Sequence, residues 1–255
     1  LPGEFERANV RIVRRDWARI TKVPRVLVEQ LSKLQSDGYM SWVEARLANN
    51  FTIFMPILKQ MVELKKQIAH RIDPTRDPYQ VLVEDYEMDL SISQIDSLFS
   101  NLKHKLVPFI RKVIAKGSVV DSGFLRNREV DPESQQGLNK QIAQAIGFSF
   151  EHGRLDVSMH PFATNIVPTD VRITTRFHNT SFTRSLFSVM HECGHAIYEQ
   201  NLNPNYLYQP VSAALGMTLH ESQSLLYERH VGKSKVFWKW AWKLVSEKFS
   251  HLIGH

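Results

Sequence analysis

Apolar residues recur at three- and four-residue intervals along most of the chain, the spacing at which one face of an α-helix is buried. This pattern predicts a mainly helical protein. It places helices over residues 4–20, from Pro24 to a break at Asp37-Gly38, over residues 41–72 with a kink or boundary at Pro56, and over residues 133–146.

A further helix is predicted to start at Ser91, where Ser91-Ile92-Ser93-Gln94 has the sequence of a capping box. Six apolar residues that follow it share one helical face. They are Ile95, Leu98, Leu102, Leu106, Phe109 and Val113. Leucine, valine and phenylalanine in such a stripe are usually core residues, so we expect this face to be buried.

The pattern changes to alternation in two short segments of the second half of the chain. Apolar and polar residues alternate from Leu155 to His160 and again from Asp170 to Phe177. A period of two predicts two strands, each with one buried face, joined by a structured loop over residues 160–169. The fold class is therefore mainly α with a small β-sheet.

Helix returns in the last third of the chain. One helix is predicted from about residue 183 to Asn203-Pro204, a second over residues 210–231 with Gly232 in the C′ position, and a third from Ser234. We expect a single domain. Its helical N-terminal part covers residues 1–150, and residues 151–255 hold the strands and the last three helices.

Composition and charge argue against several classes of protein. The 255 residues are 43% hydrophobic and 23% charged, which indicates a folded core. The net charge is +6, but the densest basic cluster, in residues 7–19, is interrupted by acidic residues and is typical of a solvated helix face. No stretch of 18 apolar residues predicts a membrane span. We therefore expect neither a nucleic-acid nor a membrane partner.

Cys193 is the only cysteine in the sequence, so no intramolecular disulfide can form. This fits a reducing compartment and leads us to expect a cytoplasmic protein. We interpret Cys193 as a small packed residue of a helix, rather than as a nucleophile or a metal ligand.

The segment His191-Glu192-Cys193-Gly194-His195 fits the pattern H-E-x-x-H on a helix. Residues four apart lie one turn apart on the same face, so both imidazoles can bind one ion. Imidazole nitrogen and carboxylate oxygen suit zinc, for which cobalt can substitute, and a catalytic zinc site leaves one position for water. Glu192 follows the first ligand and can reach that water, which makes it the candidate general base.

The third ligand is expected from another helix. Glu199 continues the same helical face, but it lies roughly 12 Å along the axis from His191, whereas ligand bonds are only about 2 Å long. Glu221 and Glu228 lie two turns apart on the next predicted helix, and either can supply the ligand. Glu228 can instead accept a hydrogen bond from a ligand histidine. His220 projects about 100° from Glu221 and is expected to face the cleft or the core.

Four segments follow one another in an order that is typical of one peptidase family. They are His160-Pro161-Phe162, Asp170-Val171-Arg172-Ile173-Thr174, the motif at residues 191–195, and His220-Glu221-Ser222-Gln223. With them the chain resembles the carboxypeptidase Taq family of zinc metallocarboxypeptidases. The resemblance implies a multi-helix, zincin-like peptidase with a small β-sheet beside the zinc helix, with Glu221 as third zinc ligand and Glu192 as general base. It also implies the release of single C-terminal residues from peptides with broad specificity, and a homodimer.

Three residues are candidates for substrate binding. Arg172 and Arg176 share the polar face of the second predicted strand, where an arginine can bind a C-terminal carboxylate through paired hydrogen bonds. The alternative for each is a structural ion pair, for instance with Asp156 or Asp170. His160 either lines the cleft or caps a turn.

Other functions share the zinc motif. A zinc endopeptidase or oligopeptidase uses the same chemistry, and an inactive fragment or helical scaffold keeps the fold without the activity. The resembled family carries two further motifs downstream, of the types (I/V)-R-x-x-A-D and G-x-x-Q-D-x-H-W, which do not occur before His255. We therefore expect this chain to be a fragment that lacks the C-terminal part. Because the sequence begins at Leu1 without a methionine, we expect the N-terminal end to be incomplete as well.

Overall fold

The computed structural model describes residues 3–117 and 129–250, and it confirms the mainly helical fold class. The chain separates into two compact units, Leu1–Gly117 and Ser118–His255. The described helices of the first unit are α1 Glu4–Ile20, α2 Arg25–Leu47, α3 Phe51–Ile72, α4 Pro78–Val83 and α5 Ile92–Lys116. Within the two described ranges, every helix is too short or too polar to cross a membrane.

Helices α2 and α3 pack along each other and hold the core of the first unit. This core is aliphatic and combines residues of α2, α3 and α4. Its buried members are Leu27, Leu64, Ile68, Ala69, Ile72 and Val81. Helix α1 has no buried residue, and Arg19 ties it to the end of α4 through ion pairs with Glu84 (3.0 Å) and Asp85 (2.5 Å).

The predicted break at Asp37-Gly38 is wrong, and of the kink or boundary predicted at Pro56 the boundary is wrong. Helix α2 continues through Asp37-Gly38, because a single glycine costs a helix only about 1 kcal/mol and packing on α3 offsets that cost. Pro56 lies inside α3, and the boundary falls before it. Asn49 adopts the left-handed conformation (φ 48°), and the side chain of Asn50 accepts a hydrogen bond from the backbone N–H of Thr52 to start α3.

The apolar face of α5 is exposed, so the prediction that it belongs to the core is wrong. The capping box is confirmed, with Ser91 Oγ accepting a hydrogen bond from the backbone N–H of Gln94 (3.2 Å). Yet α5 has no buried residue, and Leu98 is 65% exposed. Helical period reports which residues share a face, and the described elements of this unit do not pack along this one.

The second unit combines a three-stranded sheet with helices. Its described elements are α6 Pro132–Ala145, β1 Gly153–Val157, β2 Ala163–Val167, β3 Asp170–Thr175, α7 Phe182–Gln200, α8 Gly216–Leu225, the π-helical turn Leu226–Val231 and α9 Lys235–Lys248. Strand β3 is central, and it pairs parallel with β1 and antiparallel with β2. Helix α7 packs on β2 and β3.

Strand β2 corrects the prediction of a loop over residues 160–169. Its three central residues are all exposed, so it has no buried face that would produce an alternating pattern. It forms because the segment folds back and pairs antiparallel with β3, where Thr164 lies opposite Arg172. The two strands predicted from alternation are confirmed as β1 and β3.

Helix α7 lies between two apolar clusters that fix its rotation about its own axis. Leu186 and Met190 pack in one cluster with residues of α6 and α9. Val189 and Cys193 pack in the other with residues of the sheet. The side of α7 that remains faces α8, and it carries the histidine pair.

The helix predicted over residues 210–231 consists of three elements. A 3₁₀ turn covers Pro210–Ser212, α8 follows, and the π-helical turn completes the segment. Gly232 is not in the left-handed conformation predicted for a C′ glycine (φ −63°). A Cβ there would come within 3.0 Å of the Met190 sulfur, so this glycine serves close packing on α7.

Candidate metal centre

Two imidazoles and one carboxylate meet between α7 and α8. The Nε2 atoms of His191 and His195 lie 3.7 Å and 3.2 Å from Oε2 of Glu221. One donor atom from each of the three residues lies within 4.8 Å of the other two. Tetrahedral zinc ligands at about 2 Å from the ion are roughly 3.3 Å apart, so these distances suit one divalent cation.

Gly194 allows α8 to approach α7 this closely. A Cβ built at this position would lie 2.5 Å from the Cα of Ser224 and would also clash with the carbonyl oxygen of Gln223. Both atoms belong to the backbone of α8, which cannot move aside as the end of a flexible side chain can. The glycine inside the histidine motif therefore sets the distance between the imidazole pair and Glu221.

Replacing Gly194 with alanine is expected to push α8 away from α7 and to weaken metal binding. The added methyl group overpacks a backbone contact, which costs roughly 1–3 kcal/mol, and it displaces Glu221. Thermal unfolding and zinc titration of the protein carrying this chain measure the two effects. Gly38→Ala is the matched control, because a Cβ there meets nothing within 4 Å. Unchanged zinc affinity in the Gly194 variant would contradict this role.

The surroundings of His195 keep its ring neutral. Burial, together with the neighbouring His220 and His191, lowers the pKa of His195 to about 4, although Glu221 opposes the shift. A histidine binds a metal ion only through an unprotonated nitrogen. His195 therefore offers a neutral imidazole nitrogen to a cation at neutral pH.

Glu192 is a buried acid next to the ligand set. It is only 7% exposed, and burial raises its pKa to about 7; the charge of His191 opposes this shift and that of Glu221 adds to it. A dication bound beside it would pull the pKa back down. A carboxyl group with a pKa near the working pH can both accept and return a proton.

Cys193 has the surroundings of a structural residue. It is fully buried between α7 and the sheet, and burial raises the pKa of its thiol well above the ordinary range. Because the thiolate is the nucleophile and the metal ligand, these surroundings agree with its interpretation as a packed residue.

Each histidine of the pair has a partner for its second ring nitrogen. Nδ1 of His191 lies 3.0 Å from Oε2 of Glu228, which belongs to the π-helical turn. Nδ1 of His195 lies 2.5 Å from Nδ1 of His220, whose Nε2 lies 2.8 Å from Oε1 of Glu199. Glu228, the competing candidate for third ligand, thus faces the ring nitrogen of His191 that points away from the other two donors.

The predicted substrate-binding residues lie on and around the sheet. Arg172 forms two hydrogen bonds with Asp170, of 2.9 Å and 2.7 Å, and the two side chains are 45% and 36% exposed. This is the ion pair that the sequence offered as the alternative to substrate binding. His160 is exposed between β1 and β2, and Arg176 is half-buried directly after β3. Their role in binding a substrate stays a prediction.

Thr174 organises this region, and sequence reasoning did not identify it. Its Oγ1 accepts a hydrogen bond from the backbone N–H of Phe162 (3.0 Å) and lies 2.6 Å from Oγ of Ser158. Ser158 also donates to the carbonyl oxygen of His160. The threonine therefore holds the His160-Pro161-Phe162 loop against β3. The available signal was its place in the D-x-R-x-T segment, but the contact depends on the pairing of β2 with β3.

The family model of the carboxypeptidase Taq (M32) metallopeptidases matches residues 2–254 of the sequence. The chain belongs to this family. Carboxypeptidase 1 of Bacillus subtilis is 34% identical over 245 residues, or 96% of this chain and 49% of that protein. Thermostable carboxypeptidase 1 of Pyrococcus furiosus is 32% identical over 254 residues, or 99% of this chain and 51% of that protein.

The similarity extends to the fold. The crystal structure of BsuCP superposes on this chain with a TM-score of 0.91 at 33% sequence identity. The superposed region covers 95% of this chain and 49% of the BsuCP chain. This M32 chain spans about half the length of the curated relatives it matches.

Membership in the M32 family implies a metal cofactor, and the chemistry of the donor set agrees with one. Two imidazole nitrogens and one carboxylate oxygen are donors that divalent transition metals accept. The side chain of Glu221 is 43% exposed, whereas that of His195 is 11% exposed, so the cluster opens to solvent on the Glu221 side. That open side leaves room for a water molecule or a substrate oxygen as a further ligand.

Proposed function

We propose that the protein carrying this chain is a zinc-dependent metallocarboxypeptidase that hydrolyses the C-terminal peptide bond of peptides with broad specificity. The convergence of two histidine nitrogens on the Glu221 carboxylate, next to the buried acid Glu192, is the observation that carries the proposal. Family membership and relatives named carboxypeptidase support the reaction class.

His191, His195 and Glu221 are proposed to hold the ion. Zinc is the preferred metal because two imidazoles and one carboxylate with an open position are typical of catalytic zinc sites, and cobalt(II) accepts the same donors. An ion held there would supply Lewis-acid chemistry: it would polarise the scissile carbonyl group and lower the pKa of a water molecule.

Glu192 is proposed to move the proton. It takes a proton from the attacking water and later delivers it to the nitrogen of the leaving amino acid, which must depart as a neutral amine. Glu192 is only 7% exposed and directly follows His191 on α7, which places the carboxyl group beside the proposed ion and away from bulk solvent. One side chain thus serves as general base and general acid.

His160, Arg172 and Arg176 are proposed to bind the peptide. Arg172 already uses two guanidinium nitrogens on Asp170, so a substrate carboxylate has to replace Asp170 or bind to another edge of the guanidinium. The Thr174 contacts hold the His160 loop beside the same strand.

A peptide with a C-terminal amide is expected to be cleaved about 10- to 100-fold more slowly than the free acid, because a buried hydrogen bond to a charged group contributes roughly 1.5–3 kcal/mol. Mass spectrometry of products from the matched pair of peptides measures this. The free acid is expected to lose single residues from its C-terminus. Internal cleavage of both peptides at equal rates would instead indicate the alternative, a zinc endopeptidase or oligopeptidase.

A helical scaffold without activity is the remaining alternative. Metal analysis of the purified protein distinguishes it, because a scaffold has no need to retain stoichiometric zinc. Homodimerisation and a cytoplasmic location are further parts of the proposal, and they rest on the family resemblance and on the single buried cysteine respectively.

A further inference from the structure

The hydrogen bonds around His195 continue through a second imidazole to a buried acid. His220 of α8 lies between two residues of α7 that are one turn apart. Its Nδ1 lies 2.5 Å from Nδ1 of His195, and its Nε2 lies 2.8 Å from Oε1 of Glu199. The other carboxylate oxygen of Glu199 accepts a hydrogen bond from the side-chain amide of Asn165 on β2 (2.5 Å). The side chains of His220 and Glu199 are only 16% and 12% exposed.

Only one placement of protons satisfies every contact when His195 binds a cation through Nε2. The lone pair of Nε2 then points at the ion, so Nδ1 of His195 carries the proton and donates it to Nδ1 of His220. His220 therefore carries its own proton on Nε2 and donates it to Glu199. Glu199, as a carboxylate, accepts from both His220 and Asn165.

His220 is also fixed in position by packing. Its ring lies edge to edge with that of His195, with centroids 4.5 Å apart and planes inclined by 29°, as the contact between the two Nδ1 atoms requires. The ring of Tyr198, inclined by 75°, lies on another side of His220 with centroids 5.4 Å apart. Because His220 directly precedes Glu221, fixing it also fixes the backbone from which the half-exposed Glu221 carboxylate reaches the two histidines.

The two histidines of the motif differ in how the second ring nitrogen reaches a carboxylate. His191 meets its carboxylate, Glu228, directly at 3.0 Å, and Glu228 also lies near Arg229 (3.4 Å) and Lys233 (4.0 Å). His195 meets its carboxylate only through His220. His220 is thus coupled both to His195, through a hydrogen bond, and to Glu221, through the backbone of α8.

We propose that His220 and Glu199 form a positioning pair that fixes the ring and tautomer of His195 and the place of Glu221 at the metal centre. This inference rests on the proposed function and adds to it two residues outside the ligand set. Glu199 does not bind the ion in this arrangement, because both of its oxygens face other partners. It orients His220, and His220 orients the ligands.

The test is zinc affinity of the protein carrying this chain, measured by competition with a chelator, together with thermal unfolding of the metal-free form. His220→Phe is expected to weaken zinc binding about 10- to 100-fold, the usual effect of losing a partner of a ligand histidine.

His220→Asn should recover part of that loss, since its amide oxygen can accept a hydrogen bond from Nδ1 of His195. Glu199→Gln, which keeps the size and removes the charge, should give a smaller loss. His104→Phe on α5 makes the same exchange at an exposed site and is the control.

The ¹⁵N spectrum of histidine-labelled, zinc-loaded wild type gives a second readout that does not depend on a variant folding. His195 is expected to carry its proton on Nδ1 and His220 on Nε2. The opposite tautomer at either ring overturns the proposal, and so does wild-type zinc affinity in both His220→Phe and Glu199→Gln. If wild type binds no zinc, both the metal site and the positioning pair are contradicted. If wild type binds zinc and the variants bind it equally tightly, only the positioning pair is contradicted.

Discussion

Glu192→Gln is expected to lower kcat for release of a C-terminal residue by about 10²- to 10⁴-fold, the range that general acid–base catalysis contributes. Glutamine keeps the size of the side chain but cannot take the proton of the attacking water or return it to the leaving nitrogen. KM and zinc content are expected to stay near their wild-type values, because Glu192 is not among the three converging donors. Steady-state kinetics and metal analysis of the same preparation measure all three quantities.

Glu151→Gln is the matched control for this experiment, since it makes the same chemical change at an exposed position before β1. It should leave kcat unchanged. Wild-type kcat in Glu192→Gln would show that another group moves the proton. A loss of zinc in Glu192→Gln would mean that the acid acts on the ligand set rather than on the reaction.

Glu221→Ala is expected to abolish hydrolysis and to weaken zinc binding by more than Glu228→Ala does. The first variant removes a proposed ligand, whereas the second removes only the hydrogen-bond partner of His191, a loss that usually costs about 10- to 100-fold in affinity. Zinc competition titrations on both variants and on Glu247→Ala, an exposed acid of α9, measure the order.

The order of the two affinities decides between the alternatives that the sequence left open for the third ligand. If Glu228→Ala loses zinc and Glu221→Ala retains it, the assignment of the two glutamates has to be exchanged. Thermal unfolding of the metal-free variants separates a local loss of zinc binding from unfolding, because a local loss leaves the unfolding temperature of the metal-free protein unchanged.

Local spacing explains how much of the candidate site the sequence predicts. Two histidines four residues apart on a helix share a face whatever surrounds them, and the distance limit on Glu199 follows from the rise of the helix alone. The choice between Glu221 and Glu228 does not follow from their spacing, because both lie on one face of the next helix. That choice depends on how α8 crosses α7, which the backbone contact at Gly194 fixes.

Spacing along the chain does not determine what packs against a face, and this also explains the wrong predictions in the fold. The stripe that includes Leu98 and Phe109 was assigned correctly to one face of α5, but a period contains no information on what packs against that face. Strand β2 is not predicted because its sequence shows no periodic pattern. Its contacts are hydrogen bonds with the backbone of β3, and its exposed side chains leave no pattern.

The sequence offers Glu228 as an acceptor for a ligand histidine, but the partner of the second ring nitrogen of His195 is beyond sequence reasoning. Glu199 is one turn from His195, and His220 is next to Glu221, yet nothing in the spacing predicts that the ring of His220 lies between them. Such contacts depend on the distance between α7 and α8 and on the rotation of each helix about its own axis. The sequence therefore identifies the ligand types, and the structure adds the groups that orient them.

Anomalous diffraction at the zinc edge, from crystals of the protein carrying this chain grown with zinc, tests whether the three donors bind one ion. One strong peak is expected about 2 Å from Nε2 of His191, Nε2 of His195 and a carboxylate oxygen of Glu221. A peak bound instead by Glu228 or Glu199, or no peak near the two imidazoles at full zinc saturation, would contradict this assignment.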